Sequence, residues 1–296
     1  MINFENIFFC LGTKIEKNND LEIEYNLKKG SLKKLTGVNK RYVCNKDVFA
    51  ENLALKVIKK INKTTINRIT HIISVTNTPK IKFPGISNFV ASKLKLEKVN
   101  CINLNSGCTG YVDALYLSYL IIKNSKKSKI LIVTADTYSK FIKNDNVATR
   151  SIFSDAASAS IIGYDKNGFK INKSYFHNSI NSQGNLIFTK FITMNGPAVV
   201  EFTLRHVIPI LKKYSKNCGL LFSHQGSKIV IEKIKKSLNN KITIPQNLSK
   251  YGNLVSTSIP VLINENLKNL KKQKNFTICG FGVGLSVSLI NFKKNR

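Results

Sequence analysis

Tryptophan is missing from this chain of 296 residues, and arginine is scarce, with five Arg against 42 Lys. Acidic residues are few, 16 against 47 basic ones, and leave a formal net charge of +31. The six cysteines include no Cys-x-x-Cys pair, which excludes a small disulfide scaffold and a zinc finger. No apolar run approaches the roughly 20 residues needed to span a bilayer. The segment Met1–Gly12 lacks a basic stretch and a small-residue cleavage site, so no secretion signal is expected. Hydrophobic residues make up 43% and charged residues 21%. A chain this long and this apolar can bury a large core, which excludes wholesale disorder. The expectation is a globular, cytoplasmic protein with no membrane association.

The charge excess points first to an anionic partner. Nucleic acid is not the expected one, because Arg carries most bidentate phosphate and base contacts. The lysines also come as scattered pairs (Lys28-Lys29, Lys59-Lys60, Lys126-Lys127, Lys212-Lys213, Lys271-Lys272) and not as one tract. The chain holds 35 Asn and abundant Ile as well. A joint excess of Lys, Asn and Ile is what an AT-rich genome produces without selection for binding.

Short apolar, β-branched runs alternate with amphipathic stretches. Residues 69–75, 130–134, 159–163, 219–222 and 276–279 read as buried strands. Residues 48–61, 110–123 and 227–238 carry apolar side chains at helical spacing. Such alternation predicts an α/β layered fold. Each half ends in a paired-strand unit, which suggests two similar halves, 1–165 and 166–296. The repetition is weak in sequence.

Four segments carry side chains fit for chemistry. Cys108 lies in Asn105-Ser106-Gly107-Cys108-Thr109-Gly110-Tyr111, between a strand-like stretch and a long helical pattern. A helix N-terminus favours the thiolate, the nucleophilic form; a buried, inert cysteine is the bland alternative. His224 ends an apolar strand in Ser223-His224-Gln225-Gly226, where ligand sites of α/β folds form. His71 opens a strand, His177 falls in a polar loop and His206 lies in a helical pattern, and all three read as structural. Asn253 lies in Tyr251-Gly252-Asn253, by itself only a turn signal. Gly280-Phe281-Gly282-Val283-Gly284 is a glycine turn between strands, not a dinucleotide fingerprint.

Taken together, the order Cys, His, Asn, glycine turn resembles the β-ketoacyl-acyl-carrier-protein synthase III family, condensing enzymes of the thiolase fold. The family's Cys-x-Gly-(Phe/Tyr) motif is matched by Cys108 to Tyr111, and its His-Gln by His224-Gln225. Its Gly-Asn-x-x-Ser-x-Ser-(Ile/Val)-Pro motif is matched by Gly252 to Pro260, and its closing glycine turn by Gly280 to Gly284. Thr36-Gly37, Phe83-Pro84, Phe153–Ala159 and Met194-Asn195-Gly196 are similar to lesser family segments.

The resemblance implies a five-layered α/β/α/β/α fold of two similar halves and a homodimer. Cys108 would carry the acyl group, His224 and Asn253 would hydrogen-bond a malonyl thioester, and the backbone N–H groups of Cys108 and Val283 would form the oxyanion hole. His224 would donate from Nε2, hence neutral and fixed in tautomer. Phe83 would reach the partner's acyl pocket. An acyl carrier protein would dock near Lys228, Lys233, Lys235 and Lys236. Acyl-coenzyme A is a second possible donor, and neither a metal nor a cofactor is implied.

The pattern departs in places. The family's coenzyme A site commonly has a Trp and an Arg shortly before Thr-Gly; here Leu35 precedes Thr36. His-Gln-Ala-Asn becomes His224-Gln225-Gly226-Ser227, and two glycines of the Phe153–Ala159 motif are replaced. These changes keep open a specialised thiolase-fold acyltransferase of secondary, sugar or lipid metabolism. A basic binding protein that has lost the chemistry is the alternative of a different class. Cys279 lies one position from a thiolase's second cysteine and, with Cys10, Cys101 and Cys218, reads as core packing.

Overall fold

The computed structural model describes residues 1–180, 182, 184–239 and 242–294. The main strands are β1 (Ile2–Leu11), β2 (His71–Val75), β3 (Asn100–Leu104), β4 (Ile130–Asp136), β5 (Ala156–Tyr164), β6 (Phe169–Asn178), β7 (Leu220–Ser223), β8 (Asn275–Gly282) and β9 (Ser286–Lys294). They form one sheet in the order β7-β8-β9-β6-β1-β5-β4-β2-β3. The flanking helices include α1 (Ala50–Ile58), α2 (Ile86–Leu94), α3 (Gly110–Asn124), α4 (Ile208–Tyr214), α5 (Lys228–Ser237) and α6 (Ser258–Glu265). No helix among the described residues is long and apolar enough to cross a membrane.

The sheet is two copies of one pattern. In the first half β3, β2 and β4 are parallel, then β5 and β1 follow antiparallel. In the second, β7 and β8 are parallel, then β9 and β6 follow antiparallel. Thr243 makes a parallel bridge to Leu220, where the other half has its third strand. The halves join through the pairing of Ile2 with Phe169.

Helices α3 and α6 lie between the halves. Tyr111, Val112, Leu115, Ile259 and Leu262 pack in one cluster with Ile73 and Val75 of one half and Phe276, Ile278 and Phe292 of the other. Burial on both sides explains why β4 reads as an unbroken apolar run, with every residue of Ile130–Asp136 buried. Helices α1 and α2 cover the outer face of the first half, and α4 and α5 that of the second. The result is five layers, as the resemblance implied.

Two elements differ from the sequence reading. β1 was not expected as a strand. Its core residues are Ile2, Phe4 and Ile7, and a bulge between Phe4 and Asn6 breaks the two-residue period that would have revealed it. His177 stands in β6 opposite Val287, not in a loop. The lysines and asparagines on that strand's exposed side gave it the look of a polar connection. Of the cysteines read as core, Cys10, Cys218 and Cys279 are buried, while Cys101 is only half-buried on β3.

At Gly110, where α3 starts, a Cβ would strike the Val75 side chain of β2. Gly110→Ala would gain about 0.5–1 kcal/mol in helix propensity, and overpacking would cost about 1–3 kcal/mol. The clash outweighs the gain, so the urea midpoint is expected to fall with an unchanged slope.

Candidate active site

Cys108 sits in a single 3-10 turn, Gly107–Thr109, between β3 and α3. Gly107 adopts φ +51°, and a Cβ there would lie 2.6 Å from Asn77 Oδ1 and 2.8 Å from Val283 Cγ2. Only glycine fits such a conformation and such a gap. Cys108 is buried, and the backbone N–H groups of Val283 and of Cys108 itself lie near its Sγ.

The thiolate expected from the helix terminus is not the resting form. Burial pushes the Cys108 thiol up to about 12, against the two N–H groups that pull it down, and the Asp136 carboxylate adds to the rise. Desolvation outweighs the local dipoles because the charge would stand in a dry site.

The glycine turn is what lets the other half approach. A Cβ on Gly280 would stand 2.6 Å from the Cys108 carbonyl oxygen, and one on Gly282 only 2.9 Å from Sγ. Phe281, between them, points the other way and meets the His224 ring edge-on, 5.7 Å between centroids.

His224 follows β7 and continues its ladder, donating its N–H to the Cys279 carbonyl at 2.9 Å. Its ring is buried, and burial lowers it to about 4, so the imidazole is neutral. Nδ1 is buried and has no hydrogen-bond partner among the described residues. The neutral form agrees with the sequence reading; a fixed tautomer does not follow, because no protein group holds Nδ1. A Cβ at Gly226 would make only ordinary contact with the ring's other edge, 3.7 Å from Nε2.

Asn253 is bound into the first half. Its N–H donates to the Ile152 carbonyl at 2.9 Å, and its carbonyl accepts from Ser154 N–H at 3.0 Å. Oδ1 accepts the Val255 N–H at 2.8 Å. This fixes the amide's orientation and leaves Nδ2 as a donor. Gly252 (φ +74°) passes so close to Ser154 and Ile152 that no side chain fits. Ser154, which replaces a family glycine, donates its hydroxyl to the Tyr251 carbonyl at 2.6 Å and so braces the same turn. Asp155 accepts from Cys44 N–H and from Ser139, holding two loops below the site.

Cys108, His224 and Asn253, 145 residues apart at the extremes (253 minus 108), line one cavity of about 720 Å³. Its inner residues are buried. Its exposed lining includes the apolar Leu35, Leu204 and Ile229 together with Glu201. Sequence reasoning missed these four, and no motif marks them. Phe83 does not line the cavity and is 88% exposed.

A larger depression, about 1070 Å³, lies on the far side of the short helix Ser31–Thr36. Leu35 and Thr36 face the catalytic cavity, whereas Lys33 and Lys34 line this groove with Lys40, Lys228 and Lys250. Of the four lysines singled out on α5, Lys228 lines the groove. Lys233 and Lys235 are half-buried and Lys236 is exposed elsewhere on the helix. Size does not decide function here, because the buried, reactive side chains all belong to the smaller cavity.

The model of the family described as 3-oxoacyl-[acyl-carrier-protein] synthase III matches residues 102–179, and that of its C-terminal part matches 215–293. A β-ketoacyl-[acyl-carrier-protein] synthase III of Fusobacterium nucleatum is 30% identical over 288 residues, with 85% of this chain and 86% of that relative covered. A solved 3-oxoacyl-(acyl-carrier-protein) synthase III superposes with a TM-score of 0.91 at 20% identity, over 99% of both chains. The β-ketoacyl-[acyl-carrier-protein] synthase III of Thermus thermophilus gives 0.88 at 20% identity, again over 99% of both. These likenesses establish the thiolase-type fold.

Burial of neutral His224 gives a pH prediction. Its folded value lies near 4 and its ordinary value at 6.5. As pH falls through that window the unfolded chain takes up the proton first, so stability is lost. Above about 6.5 the contribution is fully present. The urea midpoint is expected to drop between pH 7 and pH 5 by less in His224→Gln than in the wild type. Equal drops would show that the ring is not held neutral.

Proposed function

As the chain belongs to the 3-oxoacyl-[acyl-carrier-protein] synthase III family, we propose that it joins an acyl thioester to malonyl-acyl-carrier-protein by decarboxylative condensation, opening a fatty acid or related acyl chain. The observation that carries this reading is the convergence of Cys108, His224 and Asn253 on one cavity.

The chemistry follows from the geometry. The Cys108 sulfur attacks the acyl carbonyl, and its proton leaves with the departing thiol. The N–H groups of Val283 and Cys108 stabilise the oxyanion. Malonyl-acyl-carrier-protein then enters the emptied cavity. Its thioester carbonyl accepts hydrogen bonds from His224 Nε2 and Asn253 Nδ2. Loss of carbon dioxide leaves an enolate that these two donors stabilise. The enolate carbon attacks the acyl-cysteine carbonyl, the bond from the acyl carbon to Sγ breaks, and a 3-ketoacyl thioester leaves; the freed Cys108 thiolate takes a proton from solvent to restore the thiol. A neutral donor pair suits this step, since an imidazolium would have to be built in a dry site. The steps draw on no cofactor beyond the thioesters.

The carrier protein is proposed to dock across the rim and the neighbouring basic groove of Lys33, Lys34 and Lys228. Acidic partners are steered by such charge. Without tryptophan near Thr36, adenine stacking of an acyl-coenzyme A has no ready partner there, which favours a carrier-bound donor. The homodimer is supported by β3, which pairs on one side only among the described residues, and by exposed Ile81 and Phe83 on the loop before α2. In it, Phe83 would enter the partner's acyl pocket. Six free cysteines suit the reducing cytoplasm.

Intact-mass measurement after exposure to acyl thioesters is expected to show an acyl adduct on the wild type and none on Cys108→Ala. Malonyl-acyl-carrier-protein should clear the adduct and yield a ketoacyl product. His224→Ala and Asn253→Ala are expected to acylate but to condense about 10²–10³-fold more slowly. No adduct from any donor would overturn the assignment of Cys108.

A further inference from the structure

Asp136 ends β4 with its side chain fully buried. No salt bridge to it exists among the described residues. Four donors meet it instead. Ser256 Oγ donates to Oδ2 at 2.6 Å, and Asn77 N–H donates to Oδ1 at 2.8 Å. The hydroxyls of Thr76 and Thr78 donate to Oδ1 at 3.3 Å each. Burial raises the carboxyl to about 6, the donors pulling the other way. An acid kept in such a place at a cost in solvation calls for a reason.

The reason lies three residues before Ser256. Asn253 is oriented by the Val255 N–H, and Val255 has φ +51°. That left-handed conformation is a genuine outlier for a β-branched residue. The first half repeats the arrangement with different residues. There Gly107 (φ +51°) precedes Cys108, and a 3-10 turn leads into α3, as Val255–Thr257 leads into α6. Glycine holds this backbone without strain; valine needs an anchor beside it. In the first half Cys108 faces the end of β8, and in the second Ser256 faces the end of β4, the corresponding strand.

We propose that Asp136, acting through Ser256, is a positioning residue that locks the strained Val255 turn and thereby aims the Asn253 amide at the malonyl thioester. This rests on the role of Asn253 given above. The Ser256 link would thus serve the condensation step and leave acyl transfer to Cys108 untouched, whereas the Asp136 charge also bears on the Cys108 thiol.

Single-turnover measurements on the full chain separate the two steps. Acylation by acetyl-coenzyme A and acetyl-acyl-carrier-protein is followed by intact mass. Condensation is then started from the acyl-enzyme with malonyl-acyl-carrier-protein. Ser256→Ala is expected to acylate at the wild-type rate, and both Ser256→Ala and Asp136→Asn to condense about 10–100-fold more slowly, as for a lost charge-assisted hydrogen bond. In an Asn253→Ala background neither should cost anything further. Ser256→Ala keeps three of the four donors to Asp136, so it carries the test if Asp136→Asn fails to fold. Wild-type condensation in both variants, parallel loss of both steps in Ser256→Ala, or losses that add to Asn253→Ala would overturn the inference alone. Wild-type condensation in Asn253→Ala would overturn the role of Asn253 and this inference with it.

Discussion

Backbone from one half of the molecule touches the nucleophile of the other, and the rest of the site depends on that contact. Gly280 and Gly282 leave no side chain between β8 and the turn holding Cys108. The approach is fixed from below by the middle layer, where α3 and α6 are packed between both halves of the sheet. Interiors at this density resist small displacements, so the fold's largest apolar cluster also sets the geometry of its smallest polar one.

Desolvation then sets the character of the site. The same burial raises Cys108, lowers His224 and raises Asp136. The resting site therefore holds a thiol and a neutral imidazole, and its reactive groups work as hydrogen-bond donors and acceptors more than as charges. The large positive charge lies elsewhere. Lysines cluster in the groove behind the Ser31–Thr36 helix, while the exposed lining of the catalytic cavity includes Leu35, Leu204, Ile229 and Glu201 and no lysine. One short helix thus divides a charged surface, suited to attracting a partner, from a mostly apolar entrance, suited to a thioester arm.

The repeat of the fold explains how one framework serves two tasks. Gly107–Cys108 and Val255–Ser256 occupy like positions in the two halves. In one the polar atom faces a glycine turn and is free to react. In the other it is tied to a buried carboxylate and steadies its neighbour. Among the described residues the second half has a single bridge at Thr243 where the first half has its third strand, and the Asn253 segment is held by Ile152 and Ser154.

Much was legible from local pattern. The buried runs of β2, β4 and β8 and the helices α3 and α5 follow from periodicity, and Cys108, His224, Asn253 and the glycine turn from motifs, because close backbone approach demands glycine at particular places. What the sequence could not disclose depends on distant partners. β1 was hidden by a bulge, and β6 by its polar face. Asp136 carries no motif, since its partners stand 60 and 120 residues away. Burial, which opposes the Cys108 thiolate that the helix terminus favours, is likewise not a local feature. Sequence by itself determined which residue types could do the chemistry and the order of the elements that carry them. Tertiary structure alone decided their dielectric surroundings, the neutrality of thiol and imidazole, and the anchoring of Asn253, because solvation and long-range contact are properties of the packed whole.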